Sequence, residues 1–116
     1  MKLTLCGSAR FEAQWHDWSE KLIMSGHTVY SLAVFPSSKG GEKNWYNDRE
    51  KMLLDLVHLS KIEESDGIVV LNIDGYIGLS TRREIVWAEI RGKDIWWFDP
   101  PEGQDSAHEL LGGTNL

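Results

Sequence analysis

The segment 72–85, NIDGYIGLSTRREI, brings glycines, hydroxyl groups and an acid among arginines together directly after an apolar run. Gly75 and Gly78 would let a ligand approach the backbone closely, and Tyr76 adds a flat ring with a hydroxyl group. Glu84 follows two arginines in the same segment. A carboxylate beside a phosphate site suits cleavage of a glycosidic bond, because it can attack or stabilise the electron-poor anomeric carbon as the base leaves.

The same segment also has a purely structural interpretation. Ser80 and Thr81 are typical helix-capping residues, and Glu84 lies three positions after Thr81. That spacing is typical of a capping box, in which two side chains hold the helix end and have no further role. One element could serve both needs, so both interpretations stay open.

A second short motif, Gly7-Ser8-Ala9-Arg10, follows the first apolar segment. Small residues, free amides at a helix N-terminus, a hydroxyl group and a guanidinium together suit a phosphate or a carboxylate. A Gly-Ser turn between a strand and a helix is equally common where the chain only changes direction. The motif therefore indicates an anion site only in combination with its neighbours.

Strand-like and helix-like segments alternate along the chain, which predicts a doubly wound α/β sandwich of the flavodoxin or Rossmann type, with a parallel sheet of four to five strands. The run 67–73 is almost continuous Val, Ile and Leu, as expected of a strand covered on both faces. Ligands bind such sheets at the carboxyl ends of the strands where the strand order reverses, so the loops after the first and third strands should be neighbours. The predicted strands are 3–6, 28–31, 67–73 and 94–98, and the predicted helices are 11–25, 47–64, 81–91 and a short one near 106–111.

The spacing of apolar residues supports these elements. In the first helix, Trp15, Trp18 and Leu22 recur at helical spacing. Trp96 and Trp97 are adjacent on a strand and must point to opposite faces of the sheet. One face of the second helix is traced by Met52, Leu53, Leu56, Leu59 and Ile62.

Composition limits the class of protein. A chain of 116 residues with 41% hydrophobic content can build one core, so we expect a single domain over 1–116 with a loop-rich tail from about 99. A net charge of −6 opposes binding to a nucleic acid polymer. Neither a stretch of membrane-spanning length nor a cleavable leader is evident, so we expect a cytoplasmic protein with no membrane partner.

The single cysteine, Cys6, excludes an intramolecular disulfide, and a buried structural thiol is favoured over a catalytic one.

Taken together, the motifs at 6–10 and 75–84 resemble the nucleoside 2-deoxyribosyltransferase-like superfamily, which includes the 2'-deoxynucleoside 5'-phosphate N-hydrolases. The resemblance spans about 2–98. It implies that Glu84 is the nucleophile on the sugar, and it implies a homo-oligomer, a dimer or larger, whose subunits share active-site residues. It also implies which residues surround the 5'-phosphate: Gly7, Ser8, Arg10 and Ser80.

The chain departs from that pattern at two positions. The phosphate hydrolases commonly carry a tyrosine in strand one, where this chain has Thr4, and an acid late in the second helix, where it has His58. His58 could act as a general acid toward the departing base, or it could be a helix histidine satisfied by a carbonyl. Asp55 and Asp74 could each supply the missing acid, although solvated or capping roles suit both.

The segment 35–46 is rich in Pro, Ser and Gly and ends in two aromatic residues, Trp45 and Tyr46. We interpret it as a lid whose aromatic end stacks on a base. The alternative is that Trp45 only anchors the loop to the second helix. We expect no cofactor and no metal, because no spacing among the four histidines indicates a metal site.

Three functions are compatible with this pattern. The first is an N-glycosidase that hydrolyses the base–sugar bond of a nucleoside or deoxynucleoside 5'-monophosphate, which Arg10 favours. The second is a deoxyribosyltransferase that exchanges the bases of unphosphorylated nucleosides. The third is a non-catalytic nucleotide-binding or sensing module, which the replacement of the acid by His58 favours. In each case the partner is a small nucleotide or nucleoside.

Overall fold

The computed structural model describes residues 1–32, 35 and 46–112, which fold into parallel strands, α-helices and short 3-10 helices. The strands are β1 (Lys2–Gly7), β2 (Thr28–Tyr30), β3 (Gly67–Leu71), β4 (Asp94–Trp97) and β5 (Asp105–Ser106). The α-helices are α1 (Glu12–Met24), α2 (Asp48–Glu64) and α3 (Leu79–Ile90). This is the α/β architecture that the alternation of segments predicts.

All the strands join one sheet in the order β2-β1-β3-β4-β5, and every pairing is parallel. The strand order reverses between β1 and β3, where a doubly wound sheet binds its ligands. These two strands pair from Leu3 opposite Gly67 to Gly7 opposite Leu71. Their carboxyl ends therefore finish side by side, which confirms that the loops after the first and third strands are neighbours.

Two apolar layers cover the sheet, one on each face, because alternate residues of a strand point to opposite sides. Every residue of β3 is buried, as its continuous apolar sequence predicts. The first layer joins α1 to the sheet through Trp15, Trp18, Leu22, Leu3, Leu5, Val69 and Leu71. The second layer joins α2 and α3 to the sheet through Ile62, Ala88, Cys6, Ile68, Val70 and Trp97. Trp96 packs against the first layer, so the two adjacent tryptophans do face opposite sides.

The entry into α3 differs from the sequence-based expectation. The helix has Gly78 as its N-cap and no side-chain cap, so the predicted capping box of Thr81 and Glu84 is wrong. The helix starts earlier than predicted, which places Thr81 inside it, where its side chain is buried. Strand β3 ends at Leu71, two residues before the predicted end of the third strand. Asp74 lies in a 3-10 helix after β3 with a φ of 55°, a left-handed conformation that Asp tolerates better than most residues.

The first half of α2 is more exposed than its apolar spacing suggests. Met52, Leu53 and Leu56 are 56%, 44% and 54% exposed, whereas His58 and Ile62 are buried. The helix has 17 residues and β3 has five, so the helix is about 25 Å long beside a strand of about 17 Å. The helix is therefore about 8 Å longer than the strand, so β3 is too short to cover all of it.

The tail from about 99 is anchored to the sheet. It contains β5 and a 3-10 helix, Ala107–Leu110, which lies within the short helix predicted near 106–111. Ala107 and Leu110 are buried in the layer that also holds α1. None of the helices in the described ranges combines the length and the apolar composition that crossing a lipid bilayer requires.

The close pairing of β3 with β4 predicts that Gly67→Ala destabilises the fold. A Cβ atom at Gly67 would lie 2.5 Å from Cζ3 of Trp96 and 2.6 Å from the backbone oxygen of Asp94. Because the backbone oxygen cannot move without disturbing the sheet, we expect a loss of about 1–3 kcal/mol in the free energy of unfolding, measured with urea. Ser60→Ala, on the exposed side of α2, is the control that should change little. Equal stability of the two variants would contradict the packing described here.

Candidate active site

Three polar side chains from three different elements meet beneath the switch point. Cys6 comes from the end of β1, His58 from α2 and Glu84 from α3. Cys6 Sγ lies 3.8 Å from His58 Nε2, and His58 Nε2 lies 3.9 Å from Glu84 Oε1. The sulfur, nitrogen and carboxylate oxygen are all within 4.8 Å of one another. The two predicted catalytic residues are therefore adjacent, and Cys6 joins them.

This cluster is mostly shielded from solvent. Cys6 is fully buried, and the side chains of His58 and Glu84 are 4% and 13% exposed. Among the residues that the structure describes, His58 Nδ1 and Glu84 Oε1 are buried and lack a hydrogen-bond partner. Buried polar atoms of this kind cost free energy unless they are satisfied. A polar ligand that reached this end of the sheet could satisfy them.

Burial shifts the pKa of all three groups toward the neutral form. It raises the pKa of Glu84 to about 7, an effect that the nearby Cys6 thiol opposes and the charge of Asp55 increases. Burial, together with the negative charge of Glu84, raises the pKa of Cys6 well above its usual range. Burial and the charge of Lys61 lower the pKa of His58 to about 4, whereas the backbone of Leu5 acts in the opposite direction and raises it. The cluster therefore holds a thiol, a neutral imidazole and an unusually basic carboxylate.

These shifts bear on the roles that the sequence suggests. A neutral imidazole has no proton to spare for a leaving base, so the low pKa of His58 favours orienting or ligand-holding roles over general acid catalysis. Asp55 is one of the two acids that the sequence offers in place of the missing acid. It is exposed, and its charge raises the pKa of Glu84. The other, Asp74, is exposed on the loop after β3.

Strand β1 presents Cys6, and not Thr4, to the cluster. Both residues point to the α2 side of the sheet, but the Thr4 hydroxyl donates to the carbonyl of Lys61 at 3.1 Å and also contacts the Ser65 hydroxyl. Thr4 therefore holds the C-terminal end of α2. Cys6, two residues further along the same face, is the strand-one side chain beside His58. Sequence reasoning took Cys6 for a structural thiol, although its place at the carboxyl end of β1, next to Gly7, was a usable signal.

The loop after β1 is held in place by hydrogen bonds between its backbone and nearby side chains. Ser8 caps a 3-10 helix (Ala9–Phe11), and its hydroxyl accepts a hydrogen bond from the backbone N–H of Arg10 at 3.3 Å. The Trp15 indole donates to the Ser8 carbonyl at 3.0 Å. A Cβ atom at Gly7 would lie 3.2 Å from Leu71, so glycine lets the two strand ends approach each other. These contacts fix the direction in which the loop leaves the sheet.

Arg10 and Tyr76 connect the two loops. Nη2 of Arg10 donates to the Tyr76 hydroxyl at 3.1 Å, and the guanidinium carbon lies 4.2 Å from the centroid of the tyrosine ring. Both side chains are exposed. Gly78 lies against the same ring, since a Cβ atom there would be 3.4 Å from the Tyr76 hydroxyl. Ser80 lies exposed in the first turn of α3.

The structure thus brings the residues predicted for the two loops to one edge of the sheet: Gly7, Ser8, Arg10, Tyr76, Gly78 and Ser80. Glu84 and His58 lie beside them, deeper in the fold. Trp45, predicted to stack on a base, lies outside the described residues, and so does the segment 36–45 of the predicted lid.

No family model and no curated protein sequence matches the chain, but solved structures do. The 2-deoxyribosyltransferase of Bacillus psychrosaccharolyticus matches with a TM-score of 0.63 at 18% identity, over 84% of this chain and 71% of that one. The CMP N-glycosidase BcmB of Clostridium botulinum matches with a TM-score of 0.54 at 19% identity, over 84% and 67%. A 2-deoxyribosyltransferase of Leishmania mexicana matches with a TM-score of 0.58 at 13% identity, over 99% and 88%.

These matches show that the chain shares its α/β fold with two 2-deoxyribosyltransferases and a CMP N-glycosidase. A shared fold can host unrelated chemistry. The function of this chain therefore has to be argued from its own side chains.

Proposed function

We propose that the protein is an N-glycosidase that hydrolyses the base–sugar bond of a nucleoside or deoxynucleoside 5'-monophosphate. The observation that carries the proposal is the position of Glu84, a mostly buried carboxylate beside the point where the loops after β1 and β3 meet. The fold shared with a CMP N-glycosidase and two 2-deoxyribosyltransferases supports it.

The reaction follows from the properties of that carboxylate. An oxygen of Glu84 attacks the anomeric carbon, the bond from carbon to base nitrogen breaks, and its electron pair leaves with the base, which takes up a proton from solvent. Water then attacks the anomeric carbon, the bond to Glu84 breaks and restores the carboxylate, and the proton lost by the water returns to solvent. His58 and Cys6 add no charge to the cluster, so the negative charge of Glu84 is available to the positive charge that develops on the sugar.

The loops supply the selectivity for a phosphate. The Arg10 guanidinium donates one N–H to the Tyr76 hydroxyl, and its remaining N–H groups could bind an anion. The first turn of α3 has no side-chain cap, and Ser80 adds a hydroxyl beside its backbone amides. A phosphate held between Arg10 and this turn would place the attached sugar toward Glu84.

A 2-deoxyribosyltransferase is the second candidate. Its first step would use Glu84 in the same way, and a second base, in place of water, would then accept the sugar. Two of the three matched structures bear that name. Arg10 favours a phosphorylated substrate and hence the hydrolase.

The third candidate, a nucleotide-binding or sensing module, would keep the loops and lack turnover. A panel of nucleotides and nucleosides, assayed for free base and for base exchange, separates the three.

Glu84→Gln should abolish base release while preserving the fold. The amide keeps the shape of the side chain but cannot attack the anomeric carbon, so we expect a fall of about 10³-fold or more in kcat. Chromatography of the released base measures the rate, and calorimetry checks that nucleotide binding persists. Glu89→Gln, on the exposed side of α3, is the matched control. Base release at the normal rate by folded Glu84→Gln protein would exclude Glu84 as the nucleophile.

Arg10→Ala should weaken the binding of a nucleoside monophosphate and leave the binding of the nucleoside nearly unchanged. The loss of a charge-assisted hydrogen bond to phosphate costs about 1.5–3 kcal/mol, which is roughly 10- to 150-fold in Kd. Calorimetry with both ligands measures the difference. Arg91→Ala, at the other end of α3, should affect neither ligand. Equal losses for the two ligands would show that Arg10 does not contact the phosphate.

We further propose that the chain self-associates through the exposed apolar face of α2, formed by Met52, Leu53, Leu56 and Val57. An apolar patch of this kind on a helix commonly marks an interface. Leu56→Glu should then shift the sedimentation coefficient from that of an oligomer to that of a monomer. Met24→Glu should not, because Met24 is even more exposed but lies on α1, against the opposite face of the sheet. A monomeric wild-type protein at micromolar concentration would refute self-association.

A further inference from the structure

The cluster of Cys6, His58 and Glu84 contains more potential metal-ligand atoms than a glycosidase reaction needs. The nucleophile requires one carboxylate, yet a thiol sulfur and an imidazole nitrogen lie within 4.8 Å of its oxygen. Thiolate sulfur, imidazole nitrogen and carboxylate oxygen are the three ligand types that zinc takes from proteins. Catalytic zinc sites commonly have three protein ligands, and a water molecule or the substrate takes the fourth position.

The distances within the cluster can be compared with those of a tetrahedral zinc site. With bonds of about 2.3 Å to sulfur and about 2.0–2.1 Å to nitrogen and oxygen, the ligand atoms of a tetrahedral zinc site lie about 3.3–3.6 Å apart. The observed separations are 3.8 Å from sulfur to nitrogen and 3.9 Å from nitrogen to oxygen. The second is beyond the range of about 2.7–3.2 Å for a nitrogen–oxygen hydrogen bond. These two pairs are a few tenths of an ångström longer than in a zinc site, and the sulfur–oxygen pair, which lies within 4.8 Å, is up to about 1.2 Å longer.

Glu84 is free to make that adjustment. Its Oε1 is buried and has no hydrogen-bond partner within the described part of the chain, and the Cys6 thiol that contacts the carboxylate would become a ligand of the same ion. The terminal torsion of a glutamate side chain is also soft. Cys6 and His58, in contrast, are held by a central strand and by the packed half of α2. Two ligands are therefore rigid and the third can close on the ion.

We propose that Cys6 Sγ, His58 Nε2 and Glu84 bind one zinc ion, and that the bound ion blocks the glycosidase reaction. Coordination replaces the thiol proton, which is released to solvent, by the metal. The ion also occupies the carboxylate oxygens that would otherwise attack the sugar. Zinc binding stands on the geometry alone, whereas the inhibition rests on the proposed function.

Cobalt(II) is the probe for binding, because it takes zinc sites and a thiolate–cobalt bond gives a charge-transfer absorption in the near ultraviolet. The chain has a single cysteine, so this band reports on Cys6 alone. We expect one equivalent of Co²⁺ to produce the band and one equivalent of Zn²⁺ to remove it. Folded wild-type protein that gives no such band would overturn the site.

Variants locate the ion. Cys6→Ser should remove the band, and Glu84→Gln should weaken zinc by about 100-fold or more, since even changes to groups that merely support a metal ligand cost about 10- to 100-fold. Glu84→Gln keeps the side-chain shape and serves if Cys6→Ser fails to fold. His16→Gln is the control, because His16 and Glu12, 3.2 Å apart on the surface of α1, are an alternative zinc pair. Zinc affinity that falls in His16→Gln and not in Glu84→Gln would refute the site.

Activity tests the second half of the proposal. Base release by chelator-treated protein should stop when one equivalent of zinc is added and should resume when the chelator is restored. Zinc that binds and leaves base release unchanged would overturn the inhibition but not the site. A protein that binds cobalt through Cys6 and releases no base in the metal-free state would refute the proposed function and leave the metal site standing.

Discussion

The parallel pairing of β1 with β3 is the contact on which the site depends. It runs from Leu3 opposite Gly67 to Gly7 opposite Leu71, so both strands end at the same level. The two loops that follow then meet through Arg10 and Tyr76. The same pairing sets which side chains face α2 and α3, and hence brings Cys6 under the loops. A shift of one residue in register would turn Cys6 to the α1 side and remove the cluster.

Burial gives that cluster a common electrostatic property. Removing a thiol, an imidazole and a carboxylate from water favours the neutral form of each, as the pKa shifts of Cys6, His58 and Glu84 show. A positive charge entering the cleft would reverse this preference at Glu84, because Coulomb interactions are stronger where water is excluded. A sugar that becomes cationic as its base leaves supplies such a charge, and so does a zinc ion. One desolvated carboxylate therefore connects the proposed reaction with the proposed inhibition.

The sequence predicts the layers of this fold better than it predicts the site. The continuous apolar residues of β3 and the spacing of Trp15, Trp18 and Leu22 are local patterns, and the structure confirms the elements they predict. The start of α3 was predicted late because Ser80 and Thr81 are strong capping residues, whereas the observed cap, Gly78, uses only its backbone. The exposure of the first half of α2 depends on how far the helix extends beyond the sheet, which residue spacing does not encode.

The cluster itself was only partly predictable, and Cys6 shows why. Glu84 could be named from its motif, and His58 from the family resemblance, which places it where the phosphate hydrolases carry an acid. Cys6 lies 52 residues from His58 along the chain, so only the sheet register reveals that they are in contact. Comparing strand one with the superfamily pattern pointed to Thr4, but its hydroxyl is bound to the end of α2. The side chain that meets Glu84 from strand one is therefore a thiol, and the thiol supplies the sulfur ligand of the proposed zinc site.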